Sequence, residues 1–154
     1  MKAMPVDPHL TVEQFMGGLE TDLLKGHHPV VVATPDDSLD KAINWFTKFD
    51  VHHLPVVNSM DDKTLLGIVS TVDALAYVNK HGTAKGATVG DVMAKDPDRI
   101  APSTTVAHAT QVLADATYQS LPVVDAQGHC VGIVTVRDLV KYFAARIKKA
   151  QERP

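Results

Sequence analysis

Two kinds of hydrophobic pattern alternate along this chain: compact runs rich in β-branched residues, and runs in which apolar residues recur at helical spacing. The compact runs predict β-strands at 30–33, 54–57, 65–69, 97–101, 121–124 and 130–134. Between them, apolar residues recur every three or four positions, which predicts helices. These helices are expected to start near Thr11, Leu39, Val72, Thr88, Thr105 and Val136.

Two of the predicted helices have features that can be checked in detail. The helix capped within 103–105 is expected to run to about Tyr118. The last helix is expected to place one apolar face toward the core, formed by Val136, Leu139, Val140, Phe143 and Ile147.

A strand-to-helix corner occurs twice, and it is the strongest feature of the sequence. Residues 67–77 read GIVSTVDALAY and residues 132–142 read GIVTVRDLVKY, at an offset of 65 (132 − 67). In each copy a hydroxyl residue stands three positions before an aspartate. The motif Leu-Pro-Val-Val also repeats, at 54–57 and 121–124. The chain is therefore built from two related units.

The repeats predict the domain organisation. We expect a lead-in at 1–9, a first repeat at 10–80, a linker at 81–87, a second repeat at 88–145, and a C-terminal helix end and tail at 146–154. A unit of roughly 60 residues buries too little surface to be stable alone, so the two should pack together. The predicted class is α/β (α+β), with small sheets flanked by helices.

Composition excludes several classes of function. The 154 residues carry a formal net charge of −3, which gives no electrostatic reason to expect nucleic acid or an anionic membrane as partner. No apolar run approaches the length of a membrane span, and the first ten residues lack the apolar core of a signal peptide. The single cysteine, Cys130, suits a reducing cytoplasm and a buried, inert thiol. We therefore expect a soluble cytoplasmic protein.

Three segments of the second unit carry a resemblance to a known family. Val89–Met93, Leu121–Asp125 and Gly132–Asp138 resemble the conserved motifs of the CBS (cystathionine β-synthase) domain. The first copy is looser, with Asn58 where the second has Asp125. The likeness covers about residues 10–145, and two copies in tandem resemble a Bateman module. No catalytic domain or helix-turn-helix accompanies them, so a stand-alone module is expected.

The resemblance implies both a fold and a function. Two CBS repeats, each with a small three-stranded sheet and flanking helices, would pack about a pseudo-two-fold axis. The pair would be a regulatory, energy-sensing binder of AMP, ADP, ATP or S-adenosylmethionine, and not an enzyme. No cofactor or metal would be required. A homodimer formed through the helices is implied, as is an unidentified regulated protein.

The resemblance also implies which residues contact the ligand. The aspartate of each corner would hold the ribose hydroxyls, and the hydroxyl residue would help to position phosphate or ribose. Asp138 would face residues 26–31, Val51 and His52, whereas Asp73 would face residues 95–99, Tyr118 and Gln119. The candidate ligand-binding residues are Thr135, Arg137, Asp138, His28, Val30, Val51, His52, His53, Pro55, Ser70 and Asp73.

The two corners differ in charge. Arg137 stands beside Asp138, and its guanidinium matches phosphate geometry, whereas the equivalent position in the first corner is Val72. Asp96 and Asp98 would repel phosphate near Asp73. We expect a phosphorylated nucleotide beside Asp138, and no ligand or a less anionic one beside Asp73.

Other interpretations of the same residues stay open. A hydroxyl residue followed three positions later by an acid is also a capping box, which closes a helix N-terminus without any ligand. The pair would then be a structural dimerisation module. The adjacent pairs His27-His28 and His52-His53 could be surface residues or a histidine-based metal sensor, although they lack the i, i+4 spacing of a helical metal site.

Overall fold

The computed structural model describes residues 7–17 and 30–152. In chain order the elements are α1 (Val12–Met16), α2 (Leu39–Lys48), β1 (His53–Val57), β2 (Leu65–Ser70), α3 (Thr71–His81), α4 (Val89–Val92), β3 (Ala94–Lys95), α5 (Val106–Asp115), β4 (Ser120–Val124), β5 (Cys130–Thr135) and α6 (Val136–Gln151). The predicted mixture of helices and small sheets is confirmed, but the expected three strands are found only in the sheet β1-β2-β3, whereas the sheet β4-β5 has two.

Two antiparallel hairpins form the centre of the molecule, and they share one register. His53 pairs with Ser70 where β1 meets β2, and Ser120 pairs with Thr135 where β4 meets β5. Each hairpin has its register shift at the same place, between the two valines that end Leu-Pro-Val-Val. The hairpins therefore place both repeated corners at corresponding edges of the structure.

Two predicted strands are wrong in extent. The runs 30–33 and 97–101 each contribute one residue to a parallel bridge, Ala33 with Val56 and Ile100 with Val123. Pairing stops there because prolines, which lack the N–H donor that a ladder needs, follow closely at Pro35 and Pro102. The sheet instead gains β3, a two-residue strand beside β2 that the sequence pattern did not indicate.

The opening helix of each repeat packs against the core of the other repeat. Val12 at the start of α1 donates its N–H to the carbonyl of Thr104 at 2.7 Å. Val89 at the start of α4 makes the equivalent bond to Asp37 at 2.8 Å. Phe15 of α1 lies edge-on to Tyr142 of α6, with ring centroids 5.4 Å apart. This exchange joins the two repeats into a single packed body.

Buried side chains form two large clusters and a small one between them. The first contains Leu10, Val12, Phe15, Leu121, Val134, Leu139 and Tyr142 among others. The second contains Ala33, Leu39, Phe46, Leu54, Val69 and Val89 among others. Val32, Val57, Leu65 and Cys130 form the small cluster. The prediction that Cys130 is buried is confirmed, and burial raises the pKa of its thiol.

Two predictions about helices are wrong. The helix expected to reach Tyr118 ends at Asp115. In α6, Tyr142 is buried beside Leu139, whereas Val140 and Ile147 are exposed. Val136, Leu139 and Phe143 of the predicted face do pack in or against the core, so the core-facing stripe of α6 differs from the prediction by gaining Tyr142 and losing Val140 and Ile147. Leu75 of α3, which corresponds to Val140 at the offset of 65, is also exposed.

Candidate ligand-binding cleft

A cleft of about 1220 Å³ opens where the two corners face each other. Small-molecule pockets commonly measure roughly 300–1000 Å³, so this cleft exceeds the needs of one nucleotide. Nine of the eleven candidate residues line it: Val30, Val51, His52, His53, Ser70, Asp73, Thr135, Arg137 and Asp138. Both aspartates border the same continuous space.

Two candidate residues are not part of this lining. Pro55 is buried within β1, where its carbonyl accepts the N–H of Ala33 at 2.9 Å. It therefore contributes a backbone hydrogen bond to the fold and no surface to the cleft. His28, with the rest of the segment 26–29 expected to face Asp138, lies outside the described residues.

Both corners are complete capping boxes. The N–H of Ser70 donates to Asp73 Oδ2 at 2.9 Å, and the N–H of Asp73 donates to Ser70 Oγ at 3.1 Å. Thr135 and Asp138 make the same pair of bonds, at 3.2 and 3.0 Å. In both boxes the aspartate caps through Oδ2, and no described residue donates to its Oδ1. Capping thus leaves each carboxylate an acceptor for a ligand.

The helix starts offer fewer free donors than the sequence suggested. The N–H of Thr71 donates to the carbonyl of His52 at 3.0 Å, and that of Val136 donates to Gln119 at 2.9 Å. With the capping bonds, this leaves the second helical N–H, that of Val72 or Arg137, without an acceptor among the described residues. Each corner therefore presents a single backbone donor to an anion.

The Asp138 end of the cleft brings side chains of both repeats together. Arg137 Nη1 lies 3.1 Å from His52 Nε2 and 3.8 Å from Asp50 Oδ1. Lys141, one turn further along α6, lines the same space. The guanidinium, the ammonium and the Arg137 N–H are all donors, so this end can receive an anionic group.

The Asp73 end of the cleft is acidic. Asp96 and Asp98 line it, as expected from the sequence. The Tyr118 hydroxyl donates to Asp98 Oδ2 at 2.8 Å, and this hydrogen bond, with burial, raises the pKa of Tyr118. Arg99 pairs with Asp96 at 2.7 Å. With no unpaired cation lining this end among the described residues, it disfavours phosphate.

His53 stands between the two ends. It begins β1, opposite Ser70 in the register, and the carboxylates of both corners act on its ring. Burial, together with the neighbouring His52, lowers the pKa of His53 below its usual value, although Asp73 and Asp138 act in the opposite direction. The environment of His53 therefore favours its neutral ring.

Several lining residues were missed by sequence reasoning. Ile68 and Ile133, which correspond at the offset of 65, provide apolar surface, and Ser120 provides a buried hydroxyl at the position that corresponds to His53. The repeat alignment could have indicated all three, because each precedes a corner residue or pairs with one. Asp50 had no such signal, since it stands just after a helix.

Neither a metal site nor a membrane span is found in the part of the chain that the structure describes. No three histidine, cysteine, aspartate or glutamate side chains are grouped there so as to hold a metal ion. None of the described helices combines the length and the apolar character needed to cross a bilayer.

Comparison with known proteins identifies the family. The model of the CBS domain matches the chain twice, at residues 21–80 and 89–145. The chain belongs to the CBS domain family. The predicted tandem pair is confirmed, and the cleft described above lies between the two CBS domains.

Curated relatives contain this CBS pair within longer chains. The chain is 28% identical over 158 residues to the chloroplastic CBS domain-containing protein CBSX2 of Arabidopsis thaliana, and covers 65% of it. It is 32% identical over 126 residues to inosine-5'-monophosphate dehydrogenase of Methanocaldococcus jannaschii, and covers 24% of that enzyme. These matches cover 85% and 79% of the chain.

Solved CBS pairs share the fold over most of the chain. The structure of CBSX2 in complex with AMP matches with a TM-score of 0.69 and 32% identity, covering 90% of this chain and 98% of that one. The CBS domain pair of protein MJ0100, in complex with 5'-methylthioadenosine and S-adenosyl-L-methionine, matches with a TM-score of 0.66 and 25% identity. That match covers 80% of this chain and 97% of the other.

Proposed function

We propose that this CBS pair is a non-catalytic regulatory module that binds a phosphorylated adenine nucleotide at the Asp138 end of the cleft. The observation that carries the proposal is the contact of Arg137, from the second repeat, with His52 and Asp50 of the first. A guanidinium that can bind an anion thus extends from one repeat to the other, in a cleft large enough for a nucleotide. The AMP complex of the relative CBSX2 supports adenine nucleotides as the ligand class.

Each part of a nucleotide has a chemical partner at this end. Asp138 Oδ1 accepts hydrogen bonds from the ribose hydroxyls, and a charged acceptor makes them stronger. Arg137 and Lys141 neutralise the phosphate, and the N–H of Arg137 at the start of α6 adds a donor. Ile68 and Ile133 offer apolar surface for the base. S-adenosylmethionine is the second ligand candidate, because the MJ0100 pair is described with it.

Signalling follows from the position of the ligand between the repeats. A nucleotide that contacts both repeats stabilises the arrangement that it prefers, by the difference in its affinity for the two arrangements. A regulated protein that recognises one arrangement would respond to occupancy. The existence of a regulated protein and the cytoplasmic location stay predictions.

The direct test of ligand class is isothermal titration calorimetry with AMP, ADP, ATP and S-adenosylmethionine, with GMP as the base control. We expect saturable heat with at least one adenine nucleotide and weaker binding of GMP. Absence of heat with all four adenosine compounds would contradict the proposal. It would instead favour a structural module whose corners serve only as helix caps.

We also propose that the chain forms a homodimer through α3 and α6. Leu75 and Val140 occupy equivalent positions on these helices, with 69% and 59% of their surface exposed. Covering such residues is favourable at roughly 25 cal/mol per Å² of apolar surface.

Sedimentation equilibrium should give twice the chain mass, and the double variant Leu75→Glu, Val140→Glu should sediment as a monomer. Val131→Glu, an exposed apolar residue on β5, is the control and should stay dimeric; a monomeric parent chain would refute the proposal.

A further inference from the structure

Asp50 stands at the proposed anion-binding end of the cleft, although its carboxylate is negatively charged, as the phosphate of the ligand would be. It follows the last turn of α2 in a left-handed conformation with φ 50°, which aspartate and asparagine tolerate better than most residues. Its Oδ1 lies 3.8 Å from Arg137 Nη1. Asp50 therefore brings a carboxylate close to the guanidinium on which the proposed phosphate site depends.

We propose that Asp50 is a specificity-determining residue, which competes with ligand phosphate for Arg137 and so selects nucleotides of lower negative charge. The inference rests on the proposed function, because it concerns the phosphate end of that same site. Asp50 and His52 both contact the Arg137 guanidinium. When a nucleotide binds, its phosphate shares the guanidinium with Asp50, and each added phosphate increases the repulsion.

The contact of Arg137 with His52 adds to this arrangement. A guanidinium can only donate, so the 3.1 Å contact requires a lone pair on His52 Nε2. His52 is therefore a second acceptor for Arg137, and a phosphate oxygen would replace it there. Unlike Asp50, it carries no negative charge. The charge selection belongs to Asp50, whereas His52 orients the guanidinium.

The expected effect is moderate because the groups are partly in solvent. The side chains of Asp50 and Arg137 are 72% and 50% exposed. Water and salt weaken the repulsion at such positions, which limits the effect of one charge to about 10-fold in affinity even for a triphosphate. A monophosphate should respond by about 2-fold, since it places less charge near Asp50.

The chain offers a matched control at the other end of the cleft. Asp96 also has a left-handed backbone, with φ 49°, and is also paired with an arginine, Arg99. It lines the same cavity. Asp96→Asn removes the same charge from the same space, but not from Arg137.

The test is isothermal titration of AMP, ATP and adenosine into the parent chain, Asp50→Asn and Asp96→Asn. Asparagine keeps the tolerance for positive φ, so Asp50→Asn should fold; Asp50→Gly is a second variant with the same tolerance. We expect Asp50→Asn to tighten ATP binding by about 5- to 10-fold and AMP binding by about 2-fold, with adenosine unchanged. Asp96→Asn should alter the ratio of ATP to AMP affinity by less than about 2-fold.

The possible results separate this inference from the function on which it rests. If the parent chain binds nucleotide but the ratio of ATP to AMP affinity is the same in Asp50→Asn, the inference is overturned and the proposed function stands. An equal change in Asp96→Asn also overturns it, because total cleft charge would then explain the selectivity. If neither the parent nor Asp50→Asn binds any nucleotide, both are overturned.

Discussion

Replacing Asp138 by alanine should lower the affinity for the nucleotide by about 100-fold or more, because two hydrogen bonds from the ribose to a charged acceptor are lost. The carboxylate also caps α6, through the bond from the Thr135 N–H to Oδ2 at 3.2 Å. Loss of this capping-box bond should therefore also cost roughly 1 kcal/mol of stability. Calorimetric titration below the melting temperature of the variant measures the affinity separately.

Asp73→Ala is the matched control for this experiment. Asp73 caps α3 with the same geometry as Asp138 caps α6, so the loss of stability should be similar. It stands at the acidic end with Asp96 and Asp98, and should change the affinity of the stronger site by less than about 3-fold. Equal losses of affinity in the two variants would refute the assignment of the phosphorylated ligand to the Asp138 end.

Gly67→Ala should destabilise the fold by about 2–3 kcal/mol, the cost of overpacking a site that cannot yield. A Cβ at this position would lie 2.6 Å from the carbonyl oxygen of Ala94 and 2.7 Å from Met93 Sδ. The carbonyl belongs to β3, which pairs with β2 at Gly67 itself. To relieve this clash, β3 would have to move away from β2. Urea denaturation would measure the loss in the free energy of unfolding.

Gly132→Ala provides the comparison, since Gly132 is the counterpart of Gly67 in the second repeat. The nearest atoms to a Cβ there are Sδ and Cε of Met16, at the far end of a flexible side chain. Because methionine adapts its rotamers easily, the cost should stay below about 1 kcal/mol. If Gly132→Ala costs as much as Gly67→Ala, the close approach of the β3 backbone is not what requires the glycine.

Much of the fold was predictable because two copies of each motif constrain one another. The corners at Ser70 and Thr135 were correctly read as strand ends that cap helices, and the structure gives both the same bonds. Strand extent was less predictable. The run before Pro35 has strong β propensity, yet a single residue of it pairs, because Pro35 has no N–H for the next ladder bond and because the run itself does not specify its partner strand.

The face of α6 shows a similar limit. Val140 and Ile147 match helical spacing as well as Tyr142 does, but only the packed structure shows that Tyr142 meets Phe15 of the exchanged helix α1. Sequence spacing indicates that an apolar stripe exists. The stripe that becomes buried is decided by which element packs against it, here one from the other repeat.

Nine of the eleven candidate residues taken from the resemblance line the cleft, whereas the electrostatics of the cleft followed from the sequence only in part. The acidic end followed from Asp96 and Asp98, whereas Asp50 resembles an ordinary solvent-facing residue after a helix. Its approach to Arg137 depends on a left-handed backbone at one residue and on the contact between repeats. Neither is encoded in a local pattern, so the feature could be found only in the structure.

An adenine nucleotide that binds between the repeats at the Asp138 corner should perturb the residues around it. The most direct test is to titrate AMP into the ¹⁵N-labelled chain and to follow the backbone amide resonances by NMR. We expect the largest shifts at residues 135–138 and 50–53, with smaller ones at residues 70–73. Saturating AMP that leaves these amides unchanged, or that shifts only residues around His129–Val131, would contradict this expectation.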